Sequence, residues 1–133
     1  GGAGEFGMME YRDHCYEYYA SGQFFQNVYG ISGDLAFQQA IDGNVQAITM
    51  YSEFGIHLGN AIKSILFALD IQLIVIGGSV SKAYHFFQKS MWDSINAFEY
   101  KRILKSLSIQ VSALENSGIL GAIALTSDHQ YPK

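Results

Sequence analysis

A glycine pair directly after an apolar run is the part of this sequence whose residue types best suit ligand binding. Residues 73–76 (LIVI) are four branched apolar residues, as expected of a strand covered on both faces, and Gly77, Gly78 and Ser79 follow. Glycine lets backbone N–H groups approach a ligand closely, and ligands of open α/β sheets bind beyond the carboxyl ends of strands. The same residues also suit a plain turn between a strand and a helix.

Two acidic residues near the start could accept hydrogen bonds from a hydroxyl-bearing ligand. Glu5 and Glu17 carry carboxylates, which accept strongly and can bridge vicinal hydroxyls. From residue type alone, an exposed loop charge is favoured for Glu5 and an acid in the first turns of a helix for Glu17. His57 and His85 are interpreted as structural, because no partner completes a catalytic triad or a metal set.

Length and composition predict one globular domain over residues 1–133. Apolar residues make up 49% of the 133 residues and charged residues 15%, which excludes a disordered chain. The net charge of −4 argues against non-specific nucleic-acid binding. Cys15 is the single cysteine, so an intrachain disulfide is excluded and a reducing, cytoplasmic location is expected. No segment has the pattern of a membrane span or a signal peptide.

Hydrophobic periodicity and capping residues predict the elements that must position these residues. A helix over 44–69 is the longest, with Asn44 as its cap, and Asp34 is expected to cap a helix ending near Ile41. The remaining predictions are a loop over 1–7, helices over 13–25, 81–100 and 118–126, a connection over 27–34, strands over 73–76 and 107–111, and a polar tail over 128–133.

Two glycines on the apolar face of the long predicted helix require an explanation. Gly55 and Gly59 lie one turn apart, and each costs about 1 kcal/mol relative to alanine in a helix interior. Close approach of another backbone would compensate for that cost. The apolar face itself is interpreted as core, without chemistry.

Five blocks of sequence, in order, resemble the ROK family (repressor, open reading frame, kinase). Each block alone is a weak signal, but all five occur at about the spacing of that family, and they cover nearly the whole chain. The blocks are GAGEFGMM at 2–9, CYEYYASG at 15–22, DGN at 42–44, LDI at 69–71 running into LIVIGGSVS at 73–81, and SGILGA at 117–122.

The resemblance implies an α/β fold, the helix-rich C-terminal lobe of an actin-like (ribonuclease H-like) ATPase with part of its sheet missing. It implies ATP and Mg²⁺ as cofactors of the complete enzyme and a hexose-type sugar as substrate. The phosphate loop and the base aspartate of the family have no match here and are expected in an N-terminal lobe, so no catalytic residue is assigned and this chain alone is predicted to be inactive. Implied sugar contacts are Glu5, Met8 and Glu17, and implied nucleotide contacts are Gly77, Gly78 and Ser79.

Met8 departs from the family pattern, which usually has histidine at this position. That histidine also serves a structural zinc site with three cysteines, of which only Cys15 is present here. His14 and Cys15 cannot complete a tetrahedral shell, so no zinc is predicted. The sequence therefore resembles a zinc-free subset that includes glucose and β-glucoside kinases.

Three functions remain open at this stage. The leading hypothesis is an ATP-dependent, glucokinase-like hexose kinase that forms homodimers through this lobe. The second is a sugar-sensing transcriptional repressor of the same family, which would carry an upstream helix-turn-helix. The third is a non-catalytic dimerisation domain.

Overall fold

The computed structural model describes residues 8–69 and 71–112 and, for the backbone alone, residues 122–126. The predicted loop over 1–7 and the predicted tail over 128–133 lie outside the described residues, as do residues 118–121 of the last predicted helix.

The predicted helix over 13–25 is confirmed only in part, because residues 13–15 and 21–23 are not helical. The chain instead forms an antiparallel hairpin from β1 (Glu10–Tyr11) and β2 (His14–Cys15), followed by the short helix α1 (Tyr16–Ala20). Arg12 turns the hairpin with a φ of 56°. Tyrosine-rich segments also favour strands, and here pairing between the strands delays the helix until Tyr16.

A single π-helical turn (Phe25–Tyr29) occupies the start of the predicted connection over 27–34. Gly30 ends it with a φ of 73°. The next helix, α2 (Gly33–Ile41), is capped by Ser32, whose side chain accepts a hydrogen bond from the Leu35 N–H. The predicted cap at Asp34 is therefore wrong by two positions, and Asp34 instead lies in the first turn.

The long central helix is confirmed as α3 (Val45–Ala68). Asn44 caps it as predicted, because its side chain accepts a hydrogen bond from the Ala47 N–H at 2.9 Å. Helix α3 packs against α1, α2 and α4 (Tyr84–Asn96) and thus forms the centre of the described structure.

The predicted strand over 73–76 is confirmed, and it begins two residues earlier as β3 (Ile71–Ile76). It is central in the order β4-β3-β5, parallel to β4 (Ser108–Val111) and antiparallel to β5 (Ala122–Thr126). Ile74 and Ile76 are buried, whereas Leu73 and Val75 are only partly buried, so the expectation of two fully covered faces is not met.

The predicted helix over 118–126 is wrong over residues 122–126, which form β5. Short apolar runs fit either a strand or a buried helix segment, because periodicity cannot distinguish them at this length. Here the backbone of β5 satisfies the free edge of β3 by antiparallel pairing, for example Ala124 with Ile74.

The predicted helix over 81–100 is confirmed as α4 (Tyr84–Asn96), which begins three residues later and ends four residues earlier than predicted. A 3₁₀ helix (Ser79–Ala83) precedes α4, and α5 (Lys101–Lys105) follows after a break. The Ser81 backbone N–H and hydroxyl both donate to the Gly78 carbonyl, which tightens the first turn into 3₁₀ geometry.

The prediction of close backbone approach at Gly55 and Gly59 is confirmed. A Cβ on Gly55 would lie 2.5 Å from the Phe87 carbonyl oxygen, and one on Gly59 would lie 2.7 Å from that of Met91. The two glycines therefore let α4 cross α3 with the helices in direct contact.

Candidate functional site

An open pocket of about 370 Å³ lies beside the hairpin and α1, and it is the candidate sugar site. It contains both described residues for which the sequence predicted sugar contact. Met8 is 68% exposed at its rim, and Glu17 is half-buried in its wall. The residues that line the pocket are Met8, Cys15, Glu17, Tyr18, Gln23 and Asn27.

Backbone and side-chain hydrogen bonds fix the walls of this pocket. The Tyr16 N–H donates to the Met9 carbonyl at 3.1 Å, which ties the segment bearing Met8 to the start of α1. Tyr18 and Asn27 bond reciprocally, the Tyr18 hydroxyl to the Asn27 carbonyl at 3.0 Å and the Asn27 amide to the Tyr18 carbonyl at 3.1 Å. The pocket thus presents a carboxylate and amide groups on a braced wall.

The tyrosines around the hairpin form a network with charged residues. His14 stacks on Tyr18 with ring centroids 3.8 Å apart. Asp13 accepts a hydrogen bond from the Tyr19 hydroxyl, and this bond holds the pKa of the carboxyl below its ordinary value and raises the pKa of the phenol. Arg12 lies over the Tyr19 ring, 5.3 Å from its centroid.

A buried histidine lies beneath the hairpin. His57 on α3 is 2% exposed, with Nδ1 2.8 Å from the Tyr11 hydroxyl and Nε2 3.2 Å from a Glu53 carboxylate oxygen. Burial lowers the pKa of the imidazole below its ordinary 6.5, and the Glu53 carboxylate opposes that shift. Burial likewise raises the pKa of Tyr11.

The glycine turn for which nucleotide contact was predicted lies in a second place. Gly77 is buried, Gly78 is partly buried with a φ of 77° and a ψ of −175°, and Ser79 is exposed. A residue with a Cβ adopts that Gly78 conformation only at a cost. Beside it, the Lys82 ammonium lies 3.6 Å from the Asp34 carboxylate.

The cleft next to this turn is too small for a nucleotide base. Its volume of about 20 Å³ is room for about one water molecule, so an adenine ring does not fit inside it. Ser79 and Lys82 line the cleft together with Asp34, whose carboxylate pairs with the Lys82 ammonium. The cleft therefore presents a hydroxyl and an ammonium that already has an acidic partner.

The structure brings some predicted site residues together and leaves others apart. Met8 and Glu17 line one pocket, whereas Ser79 lines the separate narrow cleft. Glu5 lies outside the described residues. Gln23 and Asn27 were missed, and the signal that could have found them is a pair of amides one helical turn apart, directly after the CYEYYASG block.

The part of the chain that the structure describes contains neither a metal cluster nor a membrane-spanning helix. Within residues 8–69 and 71–112, no group of three or more His, Cys, Asp or Glu side chains is arranged to hold a metal ion. Among the described helices, which include the 24-residue α3, none is both long and apolar enough to cross a membrane.

Comparison with known proteins shows the family of this chain. Residues 3–129 match the sequence profile described as the ROK family, and the chain belongs to that family. No relative is found among curated proteins.

Two solved structures share the fold. A sugar kinase from Cytophaga hutchinsonii matches over 73% of this chain with 21% identity and a TM-score of 0.59. A ROK family transcriptional regulator, a homologue of the E. coli MLC protein, matches over 87% with 19% identity and a TM-score of 0.69. The matches cover 33% and 36% of those chains, so this chain spans about a third of their length. Family and fold together imply the actin-like ATPase architecture, here helix-rich with small sheets.

Proposed function

We propose that this chain supplies the hexose contacts and part of the nucleotide site of a ROK-type kinase that phosphorylates a hexose with ATP and Mg²⁺. The observation that carries the proposal is the single pocket shared by Met8 and Glu17. The catalytic base and the phosphate loop belong to the rest of such a kinase, so the role of this chain is binding and orientation.

The chemistry of the pocket supports a sugar ligand. Glu17 offers a carboxylate that accepts hydrogen bonds from hydroxyls, and Gln23 and Asn27 add amides that both donate and accept. Apolar contact comes from the Tyr18 ring, which is held by its stack on His14. Met8 contributes a thioether where a histidine would donate, so we expect one hydrogen bond fewer to the sugar and a broader choice of hexose.

Support for a nucleotide comes from the turn after β3. Gly78 has a positive φ and no Cβ, so a ligand can approach the backbone closely where β3 ends. Ser79 and Lys82 add a hydroxyl and an ammonium beside it. Such groups bind phosphate oxygens, and ATP supplies the phosphoryl group to be transferred.

A sugar-sensing ROK transcriptional regulator is the second candidate. The regulator structure matches a larger part of this chain than the kinase structure does, and with a higher TM-score. Both candidates bind a sugar, but only the kinase requires a nucleotide at the turn. Nucleotide binding therefore discriminates between them.

The test of the sugar site is calorimetric titration with glucose and with N-acetylmannosamine. We expect Glu17→Gln to weaken binding of whichever sugar binds by about 10- to 100-fold, because it removes a charge-assisted hydrogen bond of about 1.5–3 kcal/mol. Glu10→Gln is the matched control, since Glu10 is exposed on β1 and does not line the pocket. Absence of heat with both sugars, or equal effects of the two variants, would contradict the proposed sugar site.

Titration with Mg-ADP tests the nucleotide site. We expect the wild-type chain to bind it and Gly78→Ala to weaken binding, because alanine strains the backbone at this φ. Gly43→Ala is the control, because Gly43 has a φ of 87° in the turn between α2 and α3. Alanine there causes a similar backbone strain, but away from the proposed nucleotide site. Sugar binding without any Mg-ADP binding would favour the regulator.

A further inference from the structure

A chain of hydrogen bonds runs through the centre of the molecule and links four elements. It starts at the π-helical turn, follows one side of α3, touches the hairpin and ends on α4. Its members, in order, are Tyr29, Glu53, His57, Tyr11, Asn60 and Ser94. His57 is its only member that titrates near neutral pH, and it lies in the middle.

The partners of His57 determine which ring nitrogen carries the proton. Nε2 faces the Glu53 carboxylate, which only accepts hydrogen bonds, so Nε2 is protonated and donates to it. Nδ1 is then unprotonated in the neutral ring and accepts from the Tyr11 hydroxyl at 2.8 Å. The Tyr11 oxygen in turn accepts from the Asn60 amide at 2.9 Å.

Adding a second proton to the ring breaks this arrangement at one point. Nδ1 then becomes a donor and faces the Tyr11 oxygen, which already accepts from Asn60. The Tyr11 hydroxyl then loses His57 Nδ1 as the acceptor of its proton. The bond between His57 and Glu53 survives and gains charge.

Tyr11 is the residue that joins the hairpin to α3 at this point. It pairs with His14 across the hairpin, and its ring stacks on Tyr16 at 4.3 Å. The neighbouring strand pair is Glu10 and Cys15. Along the chain, Met8 lies two residues before Glu10 and Glu17 lies two residues after Cys15. We therefore expect a movement of Tyr11 to reach Met8 and Glu17, which line the candidate sugar pocket.

Charged and titratable groups approach His57 from α3, from the hairpin and from α1. The carboxylate of Glu53 favours the charged ring, whereas the guanidinium of Arg12 and burial disfavour it. The other groups that face the ring are phenols, which are neutral near pH 7. They are Tyr11, Tyr19 at a centroid distance of 5.0 Å, and Tyr29, which bonds to Glu53. Burial and then the Glu53 carboxylate raise the pKa of the Tyr29 phenol to about 12.

We propose that His57 is a positioning residue that anchors the hairpin through Tyr11 only while its ring is neutral, so that acidification loosens the pocket formed by Met8 and Glu17. Hexose affinity then falls with pH at a residue that does not line the pocket. The consequence for hexose rests on the proposed function, but the coupling between His57 and the hairpin does not.

The protonation of His57 and the response of the hairpin are measurable in one experiment. Methionine labelled at the methyl carbon gives four signals, from Met8 and Met9 beside the hairpin and from Met50 and Met91 on α3 and α4. Imidazole signals of labelled histidine follow the protonation of His57 in the same sample, with His57→Gln for assignment. We expect the Met8 and Met9 signals to shift with the midpoint of His57, below pH 6.5, while Met50 and Met91 stay constant.

Two hydroxyl deletions provide the matched comparison. Tyr11→Phe removes the hydroxyl that contacts His57 and should abolish the correlated shift of Met8 and Met9. Tyr16→Phe removes a hydroxyl that also bonds to α3, at Ser64 Oγ 2.7 Å away, and should retain the shift because serine does not titrate in this range. In addition, Glu53→Gln should move the shared midpoint to lower pH, since it removes the carboxylate that favours the charged ring.

Several results would overturn the proposal. One is titration of His57 without movement of Met8 and Met9, and another is the same movement in Tyr11→Phe. A third is a His57 ring that stays neutral until Met50 and Met91 report unfolding of the whole chain.

Hexose titration at several pH values measures the functional consequence. One pH unit below the His57 midpoint, about one tenth of the chains retain the anchored hairpin, so we expect an apparent Kd about tenfold higher. Tyr11→Phe should flatten this dependence and Tyr16→Phe should keep it. If no hexose binds at any pH while the methionine signals still follow His57, the proposed function fails and the anchor stands. If hexose binds with an affinity that does not change with pH, the anchor has no effect on the pocket and the proposal fails.

Discussion

His57 illustrates how one buried side chain can depend on partners that are far apart in sequence. Its i,i+4 pairing with Glu53 on α3 follows from helical spacing alone. Its contact with Tyr11 joins residues 46 positions apart, and no local pattern indicates it. The sequence therefore supports a structural interpretation of this histidine, but only the structure shows its hydrogen bond to Tyr11 of the hairpin.

The pKa of His57 predicts how stability depends on pH. The folded chain holds the ring neutral below its ordinary value of 6.5, whereas the unfolded chain protonates near that value. The contribution of neutral His57 to the free energy of unfolding is therefore complete above pH 6.5. It declines as the pH falls toward the pKa of the folded chain, by up to about 1.4 kcal/mol per pH unit. Urea denaturation between pH 7.5 and 5.0 measures this slope.

The matched variant for that slope is His57→Gln, which keeps a polar side chain but does not titrate. The free energy of unfolding of this variant should be lower at pH 7.5 and should depend less on pH down to 5.0. The other three histidines remain in both proteins. An unchanged slope would show that His57 does not govern the acid sensitivity.

At the scale of elements, the sequence predicts what depends on local physics. Asn44 and the apolar period give α3 with its cap, and the branched run gives β3. The failures occur where pairing with a distant segment decides the outcome. The hairpin replaces the start of the helix predicted over 13–25, because β2 pairs with β1. Residues 122–126 form a strand because they pair with the free edge of β3.

The crossing of α3 and α4 gives a prediction for its two glycines. Gly55→Ala and Gly59→Ala each gain about 1 kcal/mol of helix propensity. However, the new Cβ would meet backbone atoms of α4 at 2.5–2.7 Å, so α4 must move. Because overpacking typically costs about 1–3 kcal/mol and a rigid helix cannot yield locally, we expect net destabilisation in both variants.

Thermal and urea unfolding of these variants check the expectation. Gly22→Ala is the control, because no atom lies within 4 Å of the position where its Cβ would be. That variant should retain nearly the wild-type stability. If the two α3 variants are as stable as wild type, the helices are not in direct contact at these glycines.

On the scale of the whole molecule, the family and the fold class were predictable from five short blocks, whereas the composition of the site was not. The blocks identify Met8, Glu17 and the turn at Gly78, and the structure places the first two in one pocket and the turn elsewhere. Gln23 and Asn27 complete the pocket only because the π-helical turn and α1 bring them beside Glu17. Such convergence depends on tertiary packing and leaves no periodic signal.

One ring on α3 connects the parts of the molecule that carry the two candidate sites. Phe54 is fully buried, and its ring lies 5.0 Å from that of Phe87 on α4 and 5.8 Å from those of Phe24 and Phe25. The pocket side and the α4 side thus share one aromatic core. We expect Phe54→Ala to lower the free energy of unfolding by about 3–5 kcal/mol, through lost burial and a cavity.

Phe67→Ala is the control on the same helix, because Phe67 is 72% exposed and should change stability by only about 0.5 kcal/mol or less. Should Phe54→Ala prevent folding, Phe54→Leu keeps most of the volume and should show a smaller loss. Unfolding is followed by far-ultraviolet circular dichroism, which reports the helices, and by the labelled methyl signal of Met8, which lines the pocket. Because both regions share the Phe54 core, the two transitions should coincide and shift together. A shift of one transition without the other would mean that the pocket and the α3–α4 pair are separate folding units, and that their connection through Phe54 is not energetically important.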